Sequence, residues 1–412
     1  MTHAFGQLKH GRPGPVLLEL PEDLLEEEFS GDLDKYTPVR KHLSAADPED
    51  IRDLITAILK SSCPVINAGQ GILYAEATND LIEFANLTNI PVLTTLAGKS
   101  AFPENHPLSL GTGAHSATKM VDHFLKKTDF VLGIGTSFNI SHFNTPMPTG
   151  VTIAQSTNCP EDISSHYNIS YGAIGDSKIV LRQMIDEVKR QTTRKGRADT
   201  NGCIKEIGKI KDSFMKEWSP KLTSDEVPMN PYRIFTELYK EVDVSNTMIT
   251  HDSGYPREQL VPFWETVTPR GYIGWGKSTQ LGYGLGLAIG AKLAAPEKNS
   301  INIMGDAAFG MAAMDVETAA RNKIGILTII LNNSGMTNYD HHMGYAAERW
   351  ETNNLSGDYT KISEGLGAYA ERVDTPDQIG PAIRNALAAN QNGQPAVLEM
   401  ITKHEESVSS FV

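Results

Sequence analysis

Ile301-Asn302-Ile303-Met304-Gly305-Asp306 and, further on, Ile326-Leu327-Thr328-Ile329-Ile330-Leu331-Asn332-Asn333-Ser334-Gly335 decide the fold. The first run is apolar and stops at Gly305-Asp306. Between the two, Met311 to Lys323 carries apolar and small residues at helical spacing, with Asp315 and Glu317 in its early turns. The order predicts a strand, a crossover helix and a parallel strand, each strand ending in a polar cluster. In open α/β sheets ligands bind outside those carboxyl ends. The donors gathered there are one carboxylate, Asp306, and the amides of Asn332 and Asn333. All are hard oxygen donors, which suits Mg²⁺ held jointly with phosphates. The helix after Asp306 turns its free N–H groups and positive end toward the same spot, favouring an anion. The bland alternative is an ordinary β-α-β unit with a polar turn. Spacing, donors and flanking strands agree against it.

Composition bounds the rest. A chain of 412 residues with 40% apolar content suggests two or three domains with sizeable cores. A net charge of −13 argues against nucleic acid as the partner. It does not argue against a diphosphate whose charge a metal offsets locally. Cys63, Cys159 and Cys203 are scattered, without CxxC spacing, and read as reduced thiols of a cytoplasmic protein. No basic-then-apolar leader and no apolar run of membrane-spanning length stand out, so a soluble, cytoplasmic protein is expected.

Gly305-Asp306, the residues 307–332 and the doubled Asn ending at Asn333 resemble the diphosphate-binding motif of thiamine-diphosphate-dependent enzymes. The resemblance implies that Asp306, Asn333 and the backbone oxygen of Gly335 ligate Mg²⁺. It further implies that Gly254, Gly305, Asp306, Ala307, Ala308, Asn333, Gly335 and Met336 contact thiamine diphosphate. The motif usually has a third glycine where this chain has Ala307. The N–H there survives, provided the backbone suits alanine. Gly271 to Ala295 is rich in small residues, among them Gly276, Gly282, Gly284, Gly286 and Gly290, which on their own mean close helix–sheet packing. In the family an apolar side chain before such a Gly-Tyr-Gly turn wedges between the two cofactor rings. Here that is Leu281, whose plain alternative is an ordinary core leucine.

Earlier in the chain, Ala4 to Leu8 reads as a helix end. Gly11-Arg12-Pro13-Gly14-Pro15 reads as a turn, and Val16 to Leu20 as a short buried strand with nothing nearby to pair with. Glu26 to Glu28 reads as a solvated surface. The Gly11–Asp23 stretch resembles the end of the pyrimidine-binding domain of acetolactate synthases. It predicts residues 1–30 as a remnant of that domain, with its glutamate absent and the chain inactive alone. Residues 31–44 are expected to form a linker. Residues 45–190 alternate helix and strand signals as a Rossmann-like central domain: Asp47–Leu59, Pro64–Ala68, Thr78–Leu87, Pro91–Leu96, Ala117–Lys126, Phe130–Gly133 and Val151–Ala154. Gly69-Gln70-Gly71 is either a phosphate-cradling or a plain connecting turn. Thr94 to Pro107 is similar to the central domain of acetolactate synthases, some of which bind FAD there. Ser137-Phe138-Asn139-Ile140-Ser141 replaces their usual arginine and aspartates, and Asn158 stands near the place of the ribose-binding acid. Those departures tell against FAD. Residues 191–227 are expected to form a linker, basic and polar over Gln191 to Ala198, and 228–412 the diphosphate-binding domain, with a mainly parallel sheet. His341 and His342 belong to a loop beyond Asn333, more a solvated loop than catalytic bases.

The fold class is therefore α/β. The expected function is thiamine diphosphate- and Mg²⁺-dependent cleavage or formation of a carbon–carbon bond on a 2-oxo acid, of acetolactate synthase type. The family's site lies between subunits, which implies a homodimer or homotetramer. Two alternatives stand beside it. Gly305-Asp306-Ala307-Ala308-Phe309-Gly310 and Met314-Asp315-Val316-Glu317-Thr318 also resemble the oxalyl-CoA decarboxylase and 2-hydroxyacyl-CoA lyase motif. Against that reading, Glu405-Glu406 would repel the phosphates of CoA. The second alternative is a cofactor-binding fragment that does not catalyse.

Overall fold

A computed structural model describes residues 2–198, 202–274 and 280–411. Among the described residues twelve strands form two six-stranded sheets, and every pairing between these strands is parallel. The first holds β1 (Pro64–Ala68), β2 (Val92–Thr95), β3 (Ser109–Gly113), β4 (Phe130–Ile134), β5 (Thr152–Thr157) and β6 (Tyr171–Ile174) in the order 3-2-1-4-5-6. The second holds β7 (Thr247–His251), β8 (Tyr272–Ile273), β9 (Asn299–Gly305), β10 (Leu327–Asn332), β11 (Tyr369–Val373) and β12 (Ala396–Ile401) in the order 11-12-10-9-7-8. The first order reverses direction between β1 and β4, and the second between β7 and β9, with a further return where β12 inserts between β10 and β11. The reversals beside β1 and β7 each open a crevice at the strand ends.

Local sequence explains the elements. Every residue of β1, β4, β7 and β10 is buried, as expected of strands covered on both faces by helices. The helix Pro48–Lys60 starts where Asp47 accepts the N–H of Glu49 at 2.8 Å and Pro48 fills the first turn. It buries Ile51, Leu54, Ile55 and Ile58, an apolar stripe at helical spacing.

Three expectations need correction. Val16 to Leu20 forms no strand: the stretch belongs to no helix or strand and is exposed, Leu17 to 95%. With no neighbouring edge to donate to, a lone strand gains no ladder bonds. The crossover between β9 and β10 is two helices, Asp306–Ala312 and Asp315–Arg321, and the first begins immediately at Asp306 rather than at Met311. The 191–227 region is not a simple linker, because Cys203–Leu222 is a long helix. Cys203 and Ile207 join the core of the first sheet, Leu222 joins that of the second, and Phe214 stacks on Phe263 at 5.4 Å. The helix therefore fastens the two sheets together. A buried ion pair reinforces the join: Lys99 meets Glu104 at 2.6 Å, and Glu104 also accepts the N–H of Thr266 at 2.8 Å. Helix Thr2–Lys9 exists but buries no residue, and Glu26 to Glu28 are exposed. Among the described residues no helix is long and apolar enough to cross a membrane.

Candidate active site

At the switch point of the second sheet, the carboxyl ends of β7, β9 and β10 open into a cavity of about 470 Å³. β7 supplies Ser253 and Gly254, β9 supplies Gly305 and Asp306, and β10 leads into Asn333. Leu281, Ala307, Ala308, Gly335 and Met336 complete one wall. All nine residues singled out from the sequence thus line a single cavity, although they come from four separate segments. Gly276 lies outside the described residues.

Asp306 is 2% exposed. Its Oδ1 accepts the N–H of Ala307 at 2.9 Å and its Oδ2 that of Gly335 at 3.2 Å. The same Gly335 N–H also donates to Asn333 Oδ1 at 3.2 Å, so the two side-chain oxygens converge on one point. Asn333 is oriented by its Nδ2, which donates to Thr337 Oγ1 at 2.7 Å. Among the described residues no lysine or arginine is ion-paired with Asp306. Burial pushes its carboxyl above the usual range, and the backbone donors Ala307 and Gly335 only partly offset this. An uncompensated buried carboxylate is costly. A divalent cation at this spot would offset that cost. Among the described residues no three His, Cys, Asp or Glu side chains gather as a metal cluster. A cation here would have to draw on amide, carbonyl and ligand oxygens, as Mg²⁺ held with phosphates does. Ala307 sits inside the helix Asp306–Ala312, where alanine is unstrained, so the missing third glycine removes nothing from the backbone.

Leu281 is half-buried and packs against the core on the Asp306 side of the sheet. The next residue, Gly282, has φ +91° and starts the helix Tyr283–Ala294. Asp252, which follows β7, accepts the N–H groups of Gly282 and Gly284 at 3.0 Å each. His251 is wholly buried, and burial pushes it down to about 3, so it stays neutral. Its Nδ1 lies 2.9 Å from the Asp252 carbonyl and 3.2 Å from the Tyr283 hydroxyl. His342 reaches the cavity, whereas the exposed His341 lies 4.0 Å from Glu406.

The opposite wall was not legible in the sequence. The central domain contributes His115 and His142, whose rings lie 4.4 Å apart, and Phe143. Arg257 is buried over the Phe143 ring and bound to Glu258, and Glu258 accepts the N–H of Ser116 at 3.2 Å. Lone residues of the central domain, more than 100 positions from the motif, carry no local signal.

A second cavity of about 460 Å³ lies at the switch point of the first sheet, the place where the resemblance drawn from the sequence would put FAD. The residues do not fit that group. Gly69 N–H donates to Ile134 O at 2.8 Å and Gly71 N–H to Gly135 O at 2.9 Å, so neither is free for phosphate. A Cβ on Gly69 would come within 2.2 Å of Gly135 O. Gly69-Gln70-Gly71 is therefore a connecting turn packed against another turn. Beyond β5, Asn158 Nδ2 donates to Gly11 O at 2.8 Å, and Asp162 pairs with Arg12 at 2.7 Å. The N-terminal segment thus takes up the groups at the ribose end.

Comparison with known proteins bears on the family and the fold. Residues 51–184 match the family description "Thiamine pyrophosphate enzyme, central domain", and residues 252–400 match "Thiamine pyrophosphate enzyme, C-terminal TPP binding domain". A protein of Methanococcus aeolicus named "Probable acetolactate synthase large subunit" is 30% identical over 94% of this chain and 67% of its own length. Glyoxylate carboligase of Escherichia coli O157:H7 is 28% identical over 99% of this chain and 71% of its own. Among solved structures, benzoylformate decarboxylase from Polynucleobacter necessarius superposes with a TM-score of 0.74 at 20% identity, covering 96% of this chain and 72% of that one. The chain belongs to the thiamine pyrophosphate enzyme family and is acetolactate synthase-like.

Proposed function

We propose that the protein uses thiamine diphosphate and Mg²⁺ to break or form a carbon–carbon bond next to the carbonyl of a 2-oxo acid. The observation that carries this reading is the convergence of Asp306 Oδ2 and Asn333 Oδ1 on the Gly335 N–H at the floor of the cavity. In this reading Asp306, Asn333 and the Gly335 carbonyl hold the metal. The backbone at Gly305, Ala307 and Ala308 receives the diphosphate, with Gly254 and Met336 along the cofactor. Leu281 keeps the two rings apart. Bound thiamine diphosphate would supply a nucleophilic carbon that adds to the substrate carbonyl and holds the electron pair released by cleavage.

The chain's own residues shape what surrounds that chemistry. Buried Asp306 draws the metal, and the apolar Leu281 and Met336 limit water near the rings. Arg257 is neutralised by Glu258, and Glu405 by Lys221, so these cavity carboxylates are committed to partners. With Asp306 given to the metal, that leaves no carboxylate among the described residues of the cavity for proton exchange with the cofactor. The glutamate implied by the family resemblance must therefore come from outside this cavity wall. Met311 and Met314 are 64% and 70% exposed, and Met311 Cβ lies beside the Leu281–Gly284 turn. This apolar rim supports a homodimeric or tetrameric assembly.

The test is calorimetry with thiamine diphosphate. Binding should require divalent metal and vanish in Asp306→Ala. Equal affinity in EDTA would sink the site assignment.

A further inference from the structure

We propose that Asp252 is a positioning residue for the cofactor rings, acting through the turn that carries Leu281; this rests on the cofactor reading above. Asp252 is fully buried just beyond β7, and among the described residues no lysine or arginine is ion-paired with it. Among the described residues every hydrogen bond to its carboxylate comes from a backbone N–H. Oδ1 accepts Ser253 at 2.8 Å and Gly282 at 3.0 Å; Oδ2 accepts Gly282 at 3.1 Å and Gly284 at 3.0 Å. One rigid group thereby ties Ser253, at one side of the cavity, to the two glycines that follow the wedge at the other.

The turn it holds has little freedom of its own. Gly282 sits at φ +91°, a backbone region that penalises any side chain. A Cβ on Gly284 would come within 2.5 Å of Asn302 Oδ1 and 2.8 Å of His251 O, so the turn is pressed onto the sheet. Tyr283 adds a side-chain tie to His251 at 3.2 Å. A helix cap needs one oxygen on one or two N–H groups. Here both oxygens are used, and they reach segments nearly 30 residues apart. Burial holds the Asp252 carboxyl above its usual range, a cost that the four contacts only partly offset. Asn at this position keeps the volume but turns an NH₂ toward at least one backbone N–H, which leaves that donor unmet and loosens the turn.

If Asp252 acts through Leu281, its loss must affect the ring end of the ligand and spare the diphosphate end. The experiment measures, on the full chain with Mg²⁺, dissociation constants for thiamine diphosphate and for inorganic diphosphate. The proteins are the natural chain, Asp252→Asn, Leu281→Ala and the double variant. We expect Asp252→Asn to weaken thiamine diphosphate by about tenfold, the low end of what partners behind a site contribute, with diphosphate changed less than about twofold. The double variant should bind no more weakly than the weaker single variant, since both changes remove one effect. Equal loss for both ligands, no loss for thiamine diphosphate, or fully additive losses would each overturn the proposal. Should Asp252→Asn not fold, Gly282→Ala strains the same turn with Asp252 in place, and the same ligand-selective loss is expected of it. Failure of the underlying reading looks different: the natural chain would then bind diphosphate without regard to Mg²⁺.

Discussion

Asp306→Asn separates a metal ligand from a structural carboxylate without opening a void. In the natural chain Oδ1 and Oδ2 each accept one backbone N–H, from Ala307 at 2.9 Å and Gly335 at 3.2 Å. The amide keeps one of these bonds and faces the other N–H with its own NH₂. Losing a hydrogen bond to a charged acceptor costs about 1.5–3 kcal/mol. Relief of an unpaired buried charge works in the opposite direction. Burial raises the Asp306 carboxyl, so the folded state holds the proton more tightly than the unfolded state. This contribution is therefore fully present below the unfolded pKa and is lost as pH rises through the folded one. The Asn variant does not have that loss. The two terms offset, and without ligand at neutral pH the variant should melt close to the natural chain. Ligand separates them. Thiamine diphosphate at a hundred times its dissociation constant stabilises by about 2.7 kcal/mol. For a unit of roughly 150–250 residues that moves Tm by about 5–11 °C. The natural chain should show this shift only with Mg²⁺, and increasingly as Asp306 ionises with rising pH, because the metal takes the ionised form. Asp306→Asn should show none. The measurement is a set of thermal melts with and without Mg²⁺ and cofactor across pH. A variant that keeps half of the shift, or one that loses more than about 4 kcal/mol without ligand, would refute the reasoning.

Other outcomes follow from the same geometry. Leu281→Ala should lower turnover in an assembled enzyme while Mg²⁺-dependent anchoring of diphosphate persists; loss of the folded state instead, at about 2–5 kcal/mol, would mark it as core. Glu405 is raised by burial, but bonds from Lys221 and Ser407 outweigh this and hold it down to about 2 from an ordinary 4.5. Its stabilisation is thus complete above about 4.5 and lost toward pH 2. Glu405→Gln should flatten that part of the acid-unfolding profile, and an unchanged acid limb would contradict the pairing. FAD should neither copurify nor raise Tm, and a flavin absorbance that follows the protein through chromatography would contradict the packing of Gly69 against Gly135. Carbon dioxide release from 2-oxo acids should exceed any cleavage of a 2-hydroxyacyl-CoA thioester, and the reverse order would favour a lyase.

What the sequence revealed was what depends on short range. The β9–β10 unit was legible because buried parallel strands are unbroken apolar runs and because Asp306 and Asn333 stand at their ends, where backbone geometry alone sends them into the crevice. The helix Pro48–Lys60 was legible for the same reason, as the periodic signal over Asp47–Leu59, because its apolar spacing acts over a few residues. β3 and β6 were missed because Ser109-Leu110-Gly111-Thr112-Gly113 and Tyr171-Gly172-Ala173-Ile174 owe their strand state to neighbouring strands rather than to propensity. Pro376–Gln391 was also missed, although Thr375 and Gln378 form a capping box ahead of it and Pro376 fills the first turn.

Asp252 marks the limit of such reading most clearly. Its identity is visible, and a buried acid after a strand is a recognisable oddity, but nothing local says which N–H groups it will meet. Gly282 and Gly284 become its partners only because β7 and β9 are adjacent and the helix Tyr283–Ala294 packs across them. A residue that touches the ligand can be inferred from a motif, since the ligand dictates the donors. One that acts by holding another segment has its chemistry dictated by topology. Substitutions at Asp252 and Leu281 should therefore converge on one phenotype although no sequence pattern links the two positions, and only the sheet order predicts the convergence.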